Sequence, residues 1–241
     1  MDAVVLAGGL GTRLRSVVPN LPKPMAPVAG RPFLEILLTM LARKGVQRAV
    51  LSVGYRANVI QSHFGPRFNG LELVYEVEAE PLGTGGALRA ALARCQSKQA
   101  LVVNGDTFLD LDVAELAARW QAHKRPLIVG RQMADTARYG RLRVDGSRLT
   151  GFQEKGPSGP GLINTGHYLL PTNLLDACGL PSAFSFEADF ITPRLAELEL
   201  EVFETTGQFI DIGVPDDYQR AQTELAAFSV FGAFAARAGS A

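Results

Sequence analysis

The stretch Val4-Val5-Leu6-Ala7-Gly8-Gly9-Leu10-Gly11-Thr12-Arg13-Leu14, followed by Pro22-Lys23-Pro24, decides how this chain is read. Its short apolar, β-branched start reads as a buried parallel strand, and the glycines end that strand abruptly. Glycines at a strand's carboxyl end let the backbone approach a flat or anionic ligand, because no Cβ intervenes. Successive N–H groups in such a turn form an anion-binding concavity. Arg13 and Lys23 add two cations nearby, so the stretch reads as a phosphate site. It is not a P-loop, since no lysine in the chain directly follows a glycine. Nor is it the dinucleotide fingerprint, whose third glycine is here Leu14.

Outward from this loop, apolar runs alternate with helical spacing. Helices are expected from Phe33 to Lys44, over Val59 to Phe64, from Gly83 to about Arg94, and from Val113 to His123. Strands are expected at Ala49–Val53, Leu71–Tyr75, Ala100–Asn104 and Leu127–Val129. This alternation implies an α/β fold with a doubly wound, mostly parallel, Rossmann-like sheet. Its ligands should lie beyond the strands' carboxyl ends, where Gly8, Gly83 and Asp106 fall. From about residue 138 the pattern changes to a hairpin around Asp145-Gly146, a Gly/Pro-rich loop at 156–161 and a strand from Leu162 to Leu170. Helical stretches near Asn173–Cys178 and Glu187–Leu198 follow. Leu200–Glu204 and Gln208–Ile212 read as a strand pair, and a helix starts at about Asp216.

The chain has 241 residues with 24 basic and 24 acidic side chains. Zero formal net charge gives no reason to expect nucleic acid or an anionic membrane as partner, so ligand phosphates must meet local cations. Cys95 and Cys178 are isolated, without zinc or disulfide spacing. No apolar run approaches membrane-spanning length, and a cytoplasmic protein is expected. His63, His123 and His167 show no metal-ligand spacing. Gly156-Pro157-Ser158-Gly159-Pro160 fails as a nucleophile elbow at its last position. Asp106 and Asp211 each read equally as a turn former or cap. Together they suit Mg2+, which takes one or two carboxylates plus substrate phosphates.

The set Gly8-Gly9-Leu10-Gly11-Thr12-Arg13-Leu14, Pro22-Lys23-Pro24, Pro81-Leu82-Gly83-Thr84-Gly85-Gly86-Ala87, Asn104-Gly105-Asp106 and Asp211-Ile212-Gly213 resembles the sugar-1-phosphate nucleotidylyltransferases. The resemblance runs in order from Leu6 to about Tyr218 and implies one domain over residues 1–228. A nucleotide-binding half (1–135) would precede a sugar-binding half with a small antiparallel subregion (136–228), and the C-terminal residues 229–241, rich in Ala, Gly and Phe, read as either a docked helix or a frayed tail. It implies nucleotide contacts from Leu6, Ala7, Gly8, Gly9, Gly11, Thr12, Arg13, Gly83 and Thr84, with Glu78 or Glu80 reading the base. It implies sugar contacts from Gly105, Tyr139, Gly140, Glu154, Lys155, Asn164 and Gly166. Glu187 is either a sugar ligand or a charge favouring a helix start.

Asp106 and Asp211 would hold a catalytic Mg2+, and Arg13, Lys23 and Lys155 would act on the phosphates. The implied reaction moves a nucleoside monophosphate from NTP to a sugar 1-phosphate with no protein nucleophile. Within the family the likeness favours GTP and D-glycero-α-D-manno-heptose 1-phosphate. Mannose 1-phosphate, a uridylyl or thymidylyl transfer, and a non-catalytic regulatory subunit are the alternatives. Oligomeric state is not legible.

Overall fold

The computed structural model describes residues 1–9, 11, 14, 18–19, 21–153 and 158–226. The first strand, β1 (Asp2–Leu6), is followed by the short ribbon β2 (Pro27–Val28) and β3 (Arg31–Pro32). Next come α1 (Phe33–Arg43), β4 (Arg48–Val53), α2 (Ala57–Phe64), β5 (Arg67–Phe68), β6 (Leu71–Val77), α3 (Gly83–Leu92) and β7 (Gln99–Asn104). The chain continues through β8 (Thr107–Leu109), α4 (Val113–His123), β9 (Leu127–Met133), β10 (Arg141–Asp145), β11 (Arg148–Gln153) and β12 (Gly161–Pro171). The last elements are α5 (Leu195–Leu198), β13 (Glu201–Glu204), β14 (Phe209–Asp211) and α6 (Pro215–Glu224).

Ten strands form one sheet in the order β10-β11-β13-β9-β12-β7-β1-β4-β6-β5. The expected parallel, doubly wound part is β7-β1-β4-β6, and β9 with β13 is also parallel. β12 lies antiparallel between the two blocks, and β10 and β11 form the expected antiparallel hairpin. Alternation along β1 explains why helices cover both faces. Val5 joins the core under α1, α2 and α4, with Leu37, Ile60 and Leu116. Val4 faces the other way, into a core with Leu88 and Ala91 of α3 and Phe186 and Phe190. Asp112 caps α4 by accepting from Glu115 N at 2.9 Å, which satisfies one free N–H of its first turn.

Two expectations need correction. Asn173–Cys178 is a run of turns, not a helix. Its bonds are i to i−3, Leu174 N to Pro171 O and Asp176 N to Asn173 O, and so short a segment between Pro171 and Gly179 does not propagate. The second correction bears on the site. β13 and β14 do not pair with each other: β13 lies parallel to β9, whereas β14 pairs antiparallel with β8, setting Asp211 opposite Thr107.

Candidate active site

The parallel register sets three strand ends level, with Leu6 opposite both Ser52 and Asn104. Beyond those ends lie two adjoining chambers of about 220 and 320 Å³, which share Leu6, Gly9 and Asp106.

The first chamber gathers the residues expected to meet phosphates and metal. Pro22, at φ −61°, leads into a 3-10 turn over Lys23–Met25, and Pro24 and Met25 are buried. The prolines fix the backbone while their neighbours anchor the turn, so Lys23 points back at the glycine loop. Its ammonium hydrogen-bonds Asp106 and stands 4.0 Å from Asp211 Oδ1. The β8–β14 ribbon brings the two carboxylates to this one cation, and Gly213 N donates to Asp211 Oδ1 at 2.7 Å. Burial, and next the negative charge of Asp106, raise the Asp211 carboxyl pKa above its ordinary value, against the opposing pull of Lys23. Two carboxylates facing one ammonium leave negative charge to be neutralised. Among the described residues no group of three or more His, Cys, Asp or Glu could hold a metal. Nucleotidyl transferases generally use a divalent metal. The pair fits a hard cation that completes its shell with phosphate oxygens and water.

The second chamber is lined by Gly8, Glu78, Gly83, Thr84 and Asn104 among others. Glu78 N bonds to Val53 O, which extends the β6 pairing one residue past its end. Its carboxylate accepts from Ser52 Oγ at 2.9 Å and Leu82 N at 3.3 Å. A Cβ on Gly8 would lie 2.1 Å from Glu78 Oε1, so the carboxylate rests directly against that glycine. Glu80, two residues on in a bend, is exposed and does not line the chamber. Ser52 was not among the expected site residues, and Asn104 was expected only as part of Asn104-Gly105-Asp106, with no role of its own. The signal for Ser52 was one polar residue in the apolar run Ala49-Val50-Leu51-Ser52-Val53.

The sugar-side candidates meet through hydrogen bonds. Asn164 N donates to Gly140 O at 2.9 Å, and Gly166 N donates to Asn164 Oδ1 at 2.9 Å. Gly166, at φ +73°, bulges so closely over Asn104 that a Cβ would meet Asn104 Nδ2 at 2.2 Å. Asn164 Nδ2 donates to Tyr168 OH at 2.7 Å, and Tyr168 OH donates to Glu187 Oε1 at 2.8 Å. Thr84 Oγ1 donates to Glu187 Oε2 at 3.1 Å, joining this chain to α3. Tyr168, fully buried, was another residue missed, because it sits inside the buried run 165–170 of β12. Tyr139 is half-buried, edge-on to Phe209 with ring centroids 5.7 Å apart. Burial and next the charge of Asp217 raise its pKa. Thr12, Arg13, Glu154 and Lys155 lie outside the described residues, as does the tail from 227.

A mixed α/β sheet with a glycine loop, a lysine and two carboxylates at its strand ends defines a nucleotide-phosphate transferase site. The chain belongs to the nucleotidyl transferase family, whose profile matches residues 2–227. It is 39% identical over 226 residues to the D-glycero-alpha-D-manno-heptose 1-phosphate guanylyltransferase of Aneurinibacillus thermoaerophilus, covering 93% of this chain and 98% of that one. It is 40% identical over 219 residues to the enzyme of the same name from Campylobacter jejuni, covering 90% and 97%. The crystal structure of HddC from Yersinia pseudotuberculosis complexed with GMP-PN superposes with a TM-score of 0.83 at 37% identity, covering 93% of this chain and 99% of that one. The chain is a sugar-1-phosphate nucleotidylyltransferase.

Proposed function

We propose that this enzyme transfers GMP from GTP to D-glycero-α-D-manno-heptose 1-phosphate with Mg2+, giving the GDP-sugar and pyrophosphate. The observation that carries the reading is the convergence of Lys23, Asp106 and Asp211 beside the Gly8-Gly9 loop. Near-complete coverage of two heptose 1-phosphate guanylyltransferases supports the substrate pair.

Glu78 supplies a reason for guanine. A carboxylate only accepts hydrogen bonds, and it is already aimed by Ser52 and Leu82. Guanine offers it N1–H and an exocyclic N2 amino group, whereas uracil and thymine offer one N–H. In the transfer, a phosphate oxygen of the sugar 1-phosphate forms a bond to the α-phosphorus. The bond from that phosphorus to the β-phosphate bridging oxygen breaks, and its electron pair leaves with pyrophosphate. No protein nucleophile is required, and catalysis is positioning and charge stabilisation. Lys23 would offset the negative charge that develops on the α-phosphate. Mg2+, when bound by Asp106 and Asp211, would offset charge on the two phosphates and orient them. Arg13 would grip the leaving β and γ phosphates. Lys155 would dock the incoming phosphate, and Glu154, Asn164 and Glu187 would accept or donate to sugar hydroxyls. The division of labour is nucleotide handling in residues 1–135 and sugar handling in 136–228.

The test is pyrophosphate release with Mg2+, crossing GTP, ATP, UTP, CTP and dTTP with heptose, mannose and glucose 1-phosphates. Release confined to GTP with the heptose phosphate is expected. Turnover with a different base or sugar refutes the substrate assignment, and tight binding without turnover refutes the enzyme.

A further inference from the structure

From the end of β12 at Pro171 to the π-helical turn that begins at Phe186, the chain forms no strand or helix. Its carbonyls therefore have no ladder to join and need other donors. One side chain in the last turn of α3 serves several of them. Arg89 donates from Nη1 to Leu180 O at 3.1 Å, and from Nη2 to Pro181 O at 2.8 Å and Ser182 O at 3.5 Å. Its guanidinium also lies over the Phe184 ring, 5.2 Å from the centroid.

The start of α3 provides a matching seat. Phe184 N donates to Leu82 O at 3.0 Å and Gly85 N donates to Phe184 O at 2.9 Å. A Cβ at Gly85 would lie 2.1 Å from the Phe184 ring, and one at Gly86 would lie 2.1 Å from Ser182 O. The second glycine pair of the Gly83-Thr84-Gly85-Gly86 turn thus makes room for residues 180–187, which lie across α3 as a strap. What the strap carries is Glu187, whose two carboxylate oxygens are held by Thr84 and Tyr168.

The geometry points to Arg89 as a positioning residue for the sugar-phosphate half of the reaction: it clamps the strap on α3 and so sets where Glu187 stands. This rests on the reading of Glu187 as a sugar ligand given above. Arg89 lines neither chamber. Gly83 and Thr84 line the second chamber from the backbone of α3, while Thr84 Oγ1 and Leu82 O also bond the strap. The effect of losing Arg89 is therefore expected to fall mainly on the sugar phosphate.

The experiment compares Arg89→Met, which keeps an apolar stem, with Arg89→Lys, which keeps a cation but not the fork. Steady-state kinetics are run with GTP and heptose 1-phosphate varied in turn. Arg89→Met raises KM for the sugar phosphate about tenfold, the loss of roughly one charged hydrogen bond. KM for GTP and kcat stay within about twofold, and Arg89→Lys restores part of the loss. Combining Arg89→Met with Glu187→Gln is no worse than the larger single effect, because both act through one carboxylate.

Equal rises in both KM values, additive losses in the double variant, or no change at all would overturn the assignment. If Arg89→Met does not fold, Arg89→Lys decides by the same split between substrates. If the wild type shows no turnover, the enzyme reading fails separately. Titration calorimetry with heptose 1-phosphate then judges the strap: about tenfold weaker binding to Arg89→Met upholds it, and equal binding refutes it.

Discussion

Replacing Gly8 by alanine isolates what one methyl group does to the Glu78 carboxylate, proposed above to read the base. Gly8 is not among the residues at positive φ, so alanine brings no backbone strain there, only bulk. That bulk would sit 2.1 Å from Glu78 Oε1, and the carboxylate must swing away. Leaving, it gives up its bonds from Ser52 Oγ at 2.9 Å and Leu82 N at 3.3 Å. Water replaces part of what is lost, so the stability cost is about 1 kcal/mol, or some 2–4 °C in Tm for a domain of this size. Binding suffers more, because the guanine edge then faces no acceptor. A loss on the order of 2 kcal/mol corresponds to a rise of roughly 30-fold in KM for GTP. Gly9→Ala is the steric control: among the described residues nothing lies within 4 Å of its added Cβ, and its Tm should match the wild type. Scanning calorimetry and GTP titration at saturating sugar phosphate measure both effects. GTP affinity unchanged in Gly8→Ala would refute the role given to Glu78.

Two further outcomes follow from titratable groups whose pKa values the fold shifts. Asp211→Asn removes a carboxylate whose pKa burial and Asp106 have raised, so without metal its Tm should hold or rise. Its kcat should fall at least ~100-fold, and near-normal turnover would sink the metal assignment. His167 is fully buried, its Nε2 meets no partner among the described residues, and burial holds its pKa down at about 4 against an unfolded value of 6.5. The fold keeps this imidazole neutral while the unfolded chain protonates it below pH 6.5. Stability is therefore lost as pH falls from 6.5 toward 4, by up to about 3 kcal/mol. Urea unfolding across that range should show a steeper slope for wild type than for His167→Gln, and equal slopes would contradict it.

The parallel half of the fold was legible because its determinants are local. The apolar run into Gly8-Gly9, and Gly45 after the helix expected to end at Lys44, each mark an element boundary within a few residues, and Gly45 indeed sits at φ +85°. Pairing partners were not legible, since an apolar strand such as Leu162–Leu170 looks the same whether its neighbour runs with or against it. Only tertiary packing places β12 antiparallel beside β7, and β14 against β8 rather than β13. The choice between Glu78 and Glu80 was hidden for a related reason. It depends on the bond from Glu78 N to Val53 O, which extends the pairing through Glu78 and leaves Glu80 in the bend beyond. The Gly85-Gly86 pair was visible as a motif, but its neighbour lies about a hundred residues downstream, at Ser182 and Phe184.

The ribbon of β8 and β14 has a consequence for how such a chain can diversify. Asp106 leads into one of its strands and Asp211 ends the other, so everything from Asp110 to Gln208 is an excursion that leaves and returns through one two-stranded doorway. The doorway is closed on both sides, with Asp110 N bonded to Gln208 O and Ile212 N bonded to Asp106 O. Loops inside the excursion can lengthen, shorten or change their side chains while the distance between the two carboxylates stays locked by the ribbon. On the roles proposed for Asp106 and Asp211, new sugar preferences can be tried by insertion and drift without disturbing the phosphate chemistry, whereas a one-residue slip in the ribbon would cost activity toward every sugar at once.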